Sequence, residues 1–355
     1  MHEREKMKRE CSYIELFYLV KEWQDLVGSR ITKIVVSDEL IVFELFKSGG
    51  KKSQLNGILP MAWVGEYKYA APTTPPSFAV QLRKLLEGQV IKKIRLVEGE
   101  RIVIVECGEY SLVLQLFGKG NVMVLKDGVV CAALRQGSIS GLSVRMHESL
   151  VIKDKADPRV QTIVRTSDSL SSVLAKTGLG KVYAQEVVLR AGEKSLTKVK
   201  STVTQLFKQK IRACVVKDAD SIVDVTPFPL KYYAHYSCES YDSFNAALNA
   251  VLSRRVQLLV QERIAQSFDA RLQRIKSAIA AQELHLKTQK EEAQKNQEYG
   301  ELLYEHYAVV KEVLEVLQQA RKKYSWDEIK SRLKNHPVIK EVDEKNGKVV
   351  VELKH

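Results

Sequence analysis

The sequence contains neither paired cysteines nor long apolar runs, and each absence excludes a class of protein. Its five cysteines are scattered, with no CxxC pair, and its seven histidines are equally dispersed. This spacing argues against a local zinc site and predicts reduced thiols. No run of about 18 apolar residues could span a membrane, and residues 1–10 lack the apolar core of a signal peptide. We therefore expect a cytoplasmic protein without a metal site.

The short motifs of familiar enzymes are also missing. The sequence has no GxSxG, no GxxxxGK[ST], no HExxH and no GxGxxG, which argues against hydrolase, metalloprotease and dinucleotide-binding chemistry and against use of ATP through a familiar loop. We therefore assign no catalytic residue, expect no cofactor, and predict a binding protein rather than an enzyme.

Positive charge is what the sequence has in excess. Its 355 residues include 56 Lys and Arg against 43 Asp and Glu, a formal net charge of +13. Such an excess favours a polyanionic partner, with nucleic acid before an anionic membrane surface. The alternative is a well-solvated protein rich in lysine, which charge alone leaves open.

The chain changes character along its length, which predicts an α+β fold followed by helices. Residues 11–165 combine an opening helix with β-rich runs that suggest an antiparallel sheet. Residues 166–230 contain short helices around a glycine turn, and residues 241–323 are almost entirely helix formers without proline. The tail contains a capping box at 325–328 and an Asn346-Gly347 hairpin signal. The predicted domains are 1–167, 168–238, 239–323 and 324–355.

A short helix is predicted within TTPPSFAVQLRKLLEG, residues 73–88. Ser77 is the expected N-cap, and Gly88 is the expected stop. The apolar residues form one buried stripe, which leaves Arg83 and Lys84 largely on the polar face. That face contacts either water or an anion such as RNA.

The strongest local motif is Gly178-Leu179-Gly180-Lys181-Val182-Tyr183-Ala184, which fits a helix-hairpin-helix. Gly178 and Gly180 would let backbone amides at a helix N-terminus approach a phosphate, and Lys181 would add charge. The alternative is a plain helical corner with a glycine turn.

Two weaker candidates involve carboxylates. Glu100 and Arg101 stand where a strand begins, and an arginine beside a carboxylate can hold a phosphate or a base edge. Such pairs are also common on solvated surfaces. Glu15 lies in the first turn of an apolar helix, where its charge favours the positive end of the helix dipole.

The long helical region has the spacing of a coiled-coil seam. Its seam positions recur every three or four residues, with Gln282 as the one polar member among Ile264, Phe268, Leu272, Ile275, Ile279 and Leu286. Such a seam requires either a second copy of the helix or a partner helix. A second apolar stripe follows Gly300.

Taken together, these parts resemble the NFACT family of ribosome-quality-control factors, which include NEMF and RqcH and have also been called fibronectin-binding-protein-A-like. The resemblance rests on PPSFAVQLRKLLEG, EGERI, LQLFGKGNVMVL, GLGKVYA and YGELLYEHYAVVKEVL, in that order. It implies an N-terminal domain similar in fold to Fpg/Nei DNA glycosylases, then helix-hairpin-helix, coiled-coil and middle segments. The family's RNA-binding C-terminal domain does not follow here, so we expect either the N-terminal half of a longer protein or a lineage that lacks that half.

The resemblance also implies partners and a role. Family members bind the large ribosomal subunit, and hence its rRNA, when it is stalled with peptidyl-tRNA, and several recruit tRNA for template-free tailing of the nascent chain with alanine. The residues expected to contact tRNA or RNA are Glu15, Arg83, Lys84, Glu100, Arg101, Gly178, Gly180 and Lys181. The family's Asp-Arg motif aligns with Glu100-Arg101 and its N-terminal aspartate with Glu15, so both carboxylates are one methylene longer here.

Three other functions stay open with less support: a general RNA- or DNA-binding protein or coiled-coil scaffold without tailing activity, a surface adhesin, and a DNA glycosylase. The fold kinship suggests the last, but those enzymes use an N-terminal proline amine as nucleophile. This chain begins Met1-His2-Glu3 and has no proline before Pro60.

The glycosylase alternative has a direct chemical test. Incubation of the chain with abasic DNA and borohydride is expected to give no covalent adduct, because no proline amine is available to form the imine that borohydride reduces. A trapped protein–DNA band on a denaturing gel, at the level given by a known lyase, would contradict the binding-protein interpretation.

Overall fold

The computed structural model describes residues 8–37, 40–66, 74–159, 169–192, 195–219, 221–333, 336–343 and 348–353. It divides the chain into two compact units, residues 1–262 and residues 263–355. Each unit has its own apolar core. Within the described residues, no helix has the length and apolar character needed to cross a membrane. The finer division into four domains stays a prediction.

The first unit begins with helix α1 and a four-stranded antiparallel sheet. Helix α1 spans Tyr13–Glu22 and continues as a short 3-10 turn. The sheet has the order β1-β2-β3-β4. Its strands are β1 Arg30–Val36, β2 Ile41–Lys47, β3 Lys51–Ile58 and β4 Met61–Val64.

A second antiparallel sheet of five strands follows helix α2 (Ser77–Leu86) and has the order β5-β6-β7-β8-β9. Its strands are β5 Ile91–Leu96, β6 Ile102–Cys107, β7 Tyr110–Gln115, β8 Asn121–Lys126 and β9 Val129–Ala133. A small hairpin, β10 Gly137–Ile139 with β11 Leu142–Val144, comes next. These sheets confirm the predicted antiparallel α+β arrangement.

Helix α2 confirms one predicted end and corrects the other. Ser77 is its first helical residue and not its cap; Pro76 occupies the N-cap position, where it makes no side-chain hydrogen bond. Pro76 is extended, and its own carbonyl accepts from the amide of Ala79, so the chain enters the helix one residue earlier than the serine suggested. Gly88 follows the C-cap with a φ of +84°, as a helix stop requires.

Three α-helices form the helical part of the first unit within the residues that the structure describes. Helix α3 spans Leu170–Leu174, α4 spans Gly180–Ala191 and α5 spans Leu196–Leu206. Between α3 and α4 the backbone leaves helical geometry at Gly178, where φ is +96°. The expected pair of helices around a glycine turn is therefore present.

Helix α1 is buried on nearly every side because it lies between two cores. Leu16, Leu19 and Trp23 pack into the core shared by the two large sheets. Tyr13 and Tyr18 pack instead with α4 and α5. A helix that is apolar around most of its circumference is expected where both faces are covered, so α1 joins the sheets to the helical part.

A third antiparallel sheet closes the first unit and corrects the prediction for the cysteines. Its strands are β12 Ala213–Asp218, β13 Ser221–Thr226 and β14 Ser237–Tyr241, in the order β13-β12-β14. Cys214 and Cys238, on the neighbouring strands β12 and β14, form a disulfide with their Cα atoms 5.5 Å apart. The prediction of reduced thiols is wrong for this pair, because strand pairing brings together cysteines that are 24 residues apart.

Helix α6 spans Phe244–Glu305, and its first residues belong to the first unit and its core. The Glu22 carboxylate, at the end of α1, accepts from the amides of Phe244 (2.8 Å) and Asn245 (2.7 Å). The Asn245 side chain bonds both the amide and the carbonyl of Val64 in β4. The two Glu22 contacts satisfy amides that the first turn of a helix leaves without partners, and the Asn245 contacts join that turn to β4.

The second unit contains the rest of α6, then α7 Tyr307–Arg321, α8 Trp326–Arg332, β15 Ile339–Asp343 and β16 Lys348–Val351. The predicted capping box is confirmed between Ser325 and Glu328. Strands β15 and β16 pair as the hairpin signal predicts; its Asn346-Gly347 turn lies outside the described residues. A small core forms around Leu317, Ile329 and Val342.

The predicted seam of α6 is helical, but most of it is exposed. Five of its six apolar positions are between about half and two-thirds exposed: Phe268, Leu272, Ile275, Ile279 and Leu286. The sixth, Ile264, has no described side chain. Pairing of this helix with another copy or a partner therefore stays a prediction.

The Glu22 contact gives a stability prediction. Glu22→Gln is expected to lower the free energy of unfolding by about 1–3 kcal/mol, because the amide has one acceptor oxygen where two backbone amides donate. Urea denaturation measures this. Asp25→Asn, at a nearby carboxylate that is 82% exposed, is the control and should change stability by less than about 1 kcal/mol. Equal effects of the two substitutions would show that Glu22 does not stabilise the start of α6.

Candidate functional site

A cleft of about 900 Å³ opens on the first unit where α1, the β5–β6 turn and the glycine turn meet. It brings together six of the eight residues that sequence reasoning assigned to RNA contact: Glu15, Glu100, Arg101, Gly178, Gly180 and Lys181. Because these residues come from three distant parts of the sequence, only folding places them on one surface.

A buried lysine, Lys8, connects two of the segments that line the cleft. The Lys8 Nζ lies 2.8 Å from the Glu15 Oε1 and 2.5 Å from the Asp224 Oδ1. The Tyr183 hydroxyl donates to the same Glu15 oxygen at 3.0 Å, and the Tyr233 hydroxyl donates to Asp224 at 2.8 Å. This network joins the segment before α1 to α4 and β13.

Burial and charge set the protonation of this network. Burial alone would lower the pKa of Lys8, but the charges of Asp224 and Glu15 outweigh it and raise that pKa well above its ordinary value. Lys8 is therefore a cation at neutral pH. Burial, followed by the charge of Glu15, raises the pKa of Tyr183, so its phenol stays protonated and can donate. The result is a cation paired with two carboxylates, each of which also accepts a hydrogen bond from a phenol.

Glu15 is structural in this arrangement. It is 2% exposed, and its second oxygen accepts from the Ser12 amide at 2.8 Å while the Ser12 hydroxyl accepts from the Glu15 amide. This is a capping box, so the predicted favourable position at the start of the helix is present. Both carboxylate oxygens have partners within the protein, so Glu15 stabilises the cleft through these internal contacts.

Glu100 and Arg101 lie on the wall of the cleft and pair with different neighbours. Glu100 accepts from Lys155 at 2.6 Å, and Arg101 contacts Glu10 at 2.9 Å. The Arg101 guanidinium also lies over the ring of Phe117, 5.6 Å from its centre. Its side chain is 31% exposed, so it is within reach of a ligand. Exposed ion pairs of this kind contribute little stability.

The glycine turn also lines the cleft. A Cβ at Gly178 would contact Pro158 at 3.5 Å, and one at Gly180 would contact Ser12 at 3.6 Å. Those spaces would admit a methyl group, so the need for glycine comes from φ values of +96° and +78°, which L side chains rarely adopt. Lys181, in the first turn of α4, is exposed beside them.

The cleft carries more positive than negative side chains. Among the described residues that line it, the basic ones are Lys8, Arg9, Arg101, Lys155, Lys176 and Lys181, and the acidic ones are Glu10, Glu15, Glu100 and Asp224. The acidic side chains have partners within the protein. Exposed lysines and an exposed helix N-terminus suit an anion with several charges. No group of three or more acidic, cysteine or histidine side chains within the described residues is arranged to hold a metal ion.

Arg83 and Lys84 lie away from this cleft. Arg83 donates from its Nε to the Ile34 carbonyl at 2.8 Å and thus braces α2 against β1. Lys84 is exposed on α2, and neither residue lines the cleft. The structure therefore does not bring these two predicted RNA contacts together with the other six.

Sequence reasoning missed Lys8, Asp224 and Tyr183. Lys8 stands in a charged N-terminal stretch typical of a solvated segment, and its partner Asp224 is 216 residues away. Tyr183 falls inside the glycine motif, but the motif assigns it no role. Burial is the signal that identifies all three, and burial of a charged side chain has no local sequence mark.

Comparison with known proteins identifies the family of this chain. A family model described as the NFACT N-terminal and middle domains matches residues 12–350. An archaeal Rqc2 homolog, aRqcH of Methanocaldococcus jannaschii, is 28% identical over 98% of this chain. The Rqc2 homolog RqcH of Streptococcus pneumoniae is 24% identical over 81% of it. The chain spans 59% and 56% of the length of these relatives.

Solved structures share the fold. The fibrinogen binding protein from Staphylococcus aureus matches 67% of this chain and 97% of its own, with 18% identity and a TM-score of 0.56. The N-terminal part of the fibronectin/fibrinogen-binding protein from Streptococcus suis matches 66% of this chain and 96% of its own, with 19% identity and a TM-score of 0.54.

The buried network gives a second stability prediction. Lys8→Met is expected to lower the free energy of unfolding by about 3–5 kcal/mol, because it leaves Glu15 and Asp224 buried without their cation. Since folding raises the pKa of Lys8, the stabilisation is complete below the pKa of the unfolded chain and is lost only as pH rises through the folded value.

Urea denaturation at neutral pH measures this effect. Lys51→Met serves as the control, because it removes an ion pair to Asp25 in which both side chains are largely exposed. Its expected cost is under about 1 kcal/mol. A Lys8→Met variant as stable as this control would contradict the assignment of Lys8 as the bridging cation.

Proposed function

The chain belongs to the NFACT family, and on that premise we propose that it is a ribosome-quality-control factor that binds tRNA in the cleft of its first unit. The relatives that the chain matches over most of its length are Rqc2 homologs, and a yeast relative, 31% identical over 37% of this chain, is ribosome quality control complex subunit 2. By this proposal the chain acts in the cytoplasm on large ribosomal subunits stalled with peptidyl-tRNA and recruits tRNA for template-free tailing.

The proposal rests on one observation: three segments that are distant in sequence line the same cleft. The glycine turn, Glu100-Arg101 and the first turn of α1 are distant in sequence and meet around about 900 Å³ of open space. The N-terminus of α4 and the exposed Lys181 would contact phosphates, which position RNA without reading its sequence. Arg101, beside an aromatic ring, would supply a directional contact.

Under this proposal the chain binds and positions RNA and does not itself catalyse a reaction. Peptide-bond chemistry would belong to the ribosome, whose rRNA the chain would contact through its basic surface. Phosphate contacts should dominate the affinity, so binding should weaken steeply as salt rises. Selection among tRNAs would depend on the few directional contacts in the cleft.

The test compares tRNA binding by the wild-type chain and by a Glu100→Ala/Arg101→Ala variant, using fluorescence anisotropy across a series from about 50 mM to about 200 mM salt. The variant is expected to lose selection among tRNAs and to keep most of the salt slope, because the lysines of the cleft remain. Arg145→Ala/Glu148→Ala is the matched control: it removes the same two residue types from an exposed pair outside the cleft.

The control should bind tRNA as the wild type does. Two results would contradict the proposal: wild-type affinity for tRNA no higher than for polyphosphate of equal charge, or equal effects of the control and the cleft variant.

A further inference from the structure

An exposed aromatic surface lies next to the cleft and has no role in the binding just described. We define the tyrosine surface as residues 231–236, which connect β13 to β14. Tyr232 is 43% exposed and Tyr236 is 39% exposed. The ring centre of Tyr233 lies 5.0 Å from that of Tyr232 and 5.9 Å from that of Tyr236, with interplanar angles of 70°. Three rings in contact thus stand together at the surface.

The backbone beneath these rings is held in place. The buried Glu186 carboxylate of α4 accepts from the amides of Lys231 at 3.0 Å and Tyr232 at 2.8 Å. Arg190, one helical turn along α4, donates to the same carboxylate at 2.5 Å. The turn is therefore fixed to α4. A ligand that binds the rings would not have to pay the entropy of ordering this backbone.

Two contacts join the tyrosine surface to elements that line the cleft. The Tyr233 hydroxyl donates to Asp224, which lines the cleft and accepts from Lys8. Helix α4 begins at the cleft and carries Glu186 six residues further on, a rise of about 9 Å. Because Tyr233 contacts a residue that lines the cleft, one RNA strand could occupy both places.

The composition of the surface suits a nucleotide. Its side chains are tyrosines, the small Ala234, and the exposed Lys231 and His235, without an acidic residue. Aromatic faces next to positive charge are the combination that single-stranded nucleic acid uses, because bases stack on rings and phosphates contact cations. Aliphatic side chains, which would favour a protein partner, are absent from this turn.

We propose that Tyr232 and Tyr236 stack unpaired bases of the RNA whose phosphates the cleft binds. The inference rests on the proposed function and adds to it a second subsite, which recognises bases instead of phosphates. Tyr233 positions the other two rings through its contacts with both and its hydrogen bond to Asp224. Double-stranded RNA, whose bases are already stacked, would not use this subsite.

The test uses two single-stranded probes with equal numbers of phosphates: an adenosine RNA decamer and a decamer in which every base is missing. The wild-type chain is expected to bind the adenosine decamer at least about fivefold more tightly, since stacking contributes roughly 1 kcal/mol or more per base. Tyr232→Ala/Tyr236→Ala should bind both decamers equally, with its affinity for the abasic probe unchanged. Tyr232→Phe/Tyr236→Phe should retain the preference, because the ring faces remain.

The matched control is Tyr299→Ala/Tyr304→Ala, which removes two exposed tyrosines from the second unit and should leave the preference intact. Equal binding of the two decamers by the wild type, or an unchanged preference in the Tyr232→Ala/Tyr236→Ala variant, would overturn the inference. If that happens while Glu100→Ala/Arg101→Ala still loses tRNA selection, the proposed function stands alone. If neither decamer nor tRNA binds more tightly than polyphosphate, both proposals fail.

Discussion

The contact of Lys8 with Glu15 and Asp224 is the interaction on which the rest of the first unit depends. A buried ammonium is costly unless it is paired and hydrogen-bonded. Here it contacts two carboxylates, whose oxygens also accept from two phenols and from backbone amides. Since these groups come from four separate stretches of chain, the network can exist only when all of them are in place. It thereby fixes where the walls of the cleft stand.

Glu15 belongs both to the network and to the start of α1. One of its carboxylate oxygens accepts from the Ser12 amide as the third residue of a capping box. Its other oxygen still meets Lys8 and Tyr183. Glu15 therefore serves both the helix and the network, and its contacts hold the segments that line the cleft together.

Helix α1 connects the Lys8 network to the start of α6. Its first turn belongs to the Lys8 network, and its last residue, Glu22, binds the first amides of α6. In between, its apolar faces fill two different cores. A packed helix resists bending, so the cleft and the start of α6 are held by one rigid element within the first unit.

The elements that depend on local spacing follow from the sequence itself. The strands, the glycine turn, the stop at Gly88 and the capping box at Ser325 are set by residues a few positions apart, whose backbone preferences act whatever the rest of the chain does. Ser77 shows the limit, since the prolines before it began the helix one residue early. Tertiary structure alone decided which distant groups meet: Lys8 with Asp224, Glu15 with Tyr183, and Cys214 with Cys238. The physical reason is that burial and pairing across 24 to 216 residues depend on how the sheets and helices pack, and no short stretch of sequence encodes that packing.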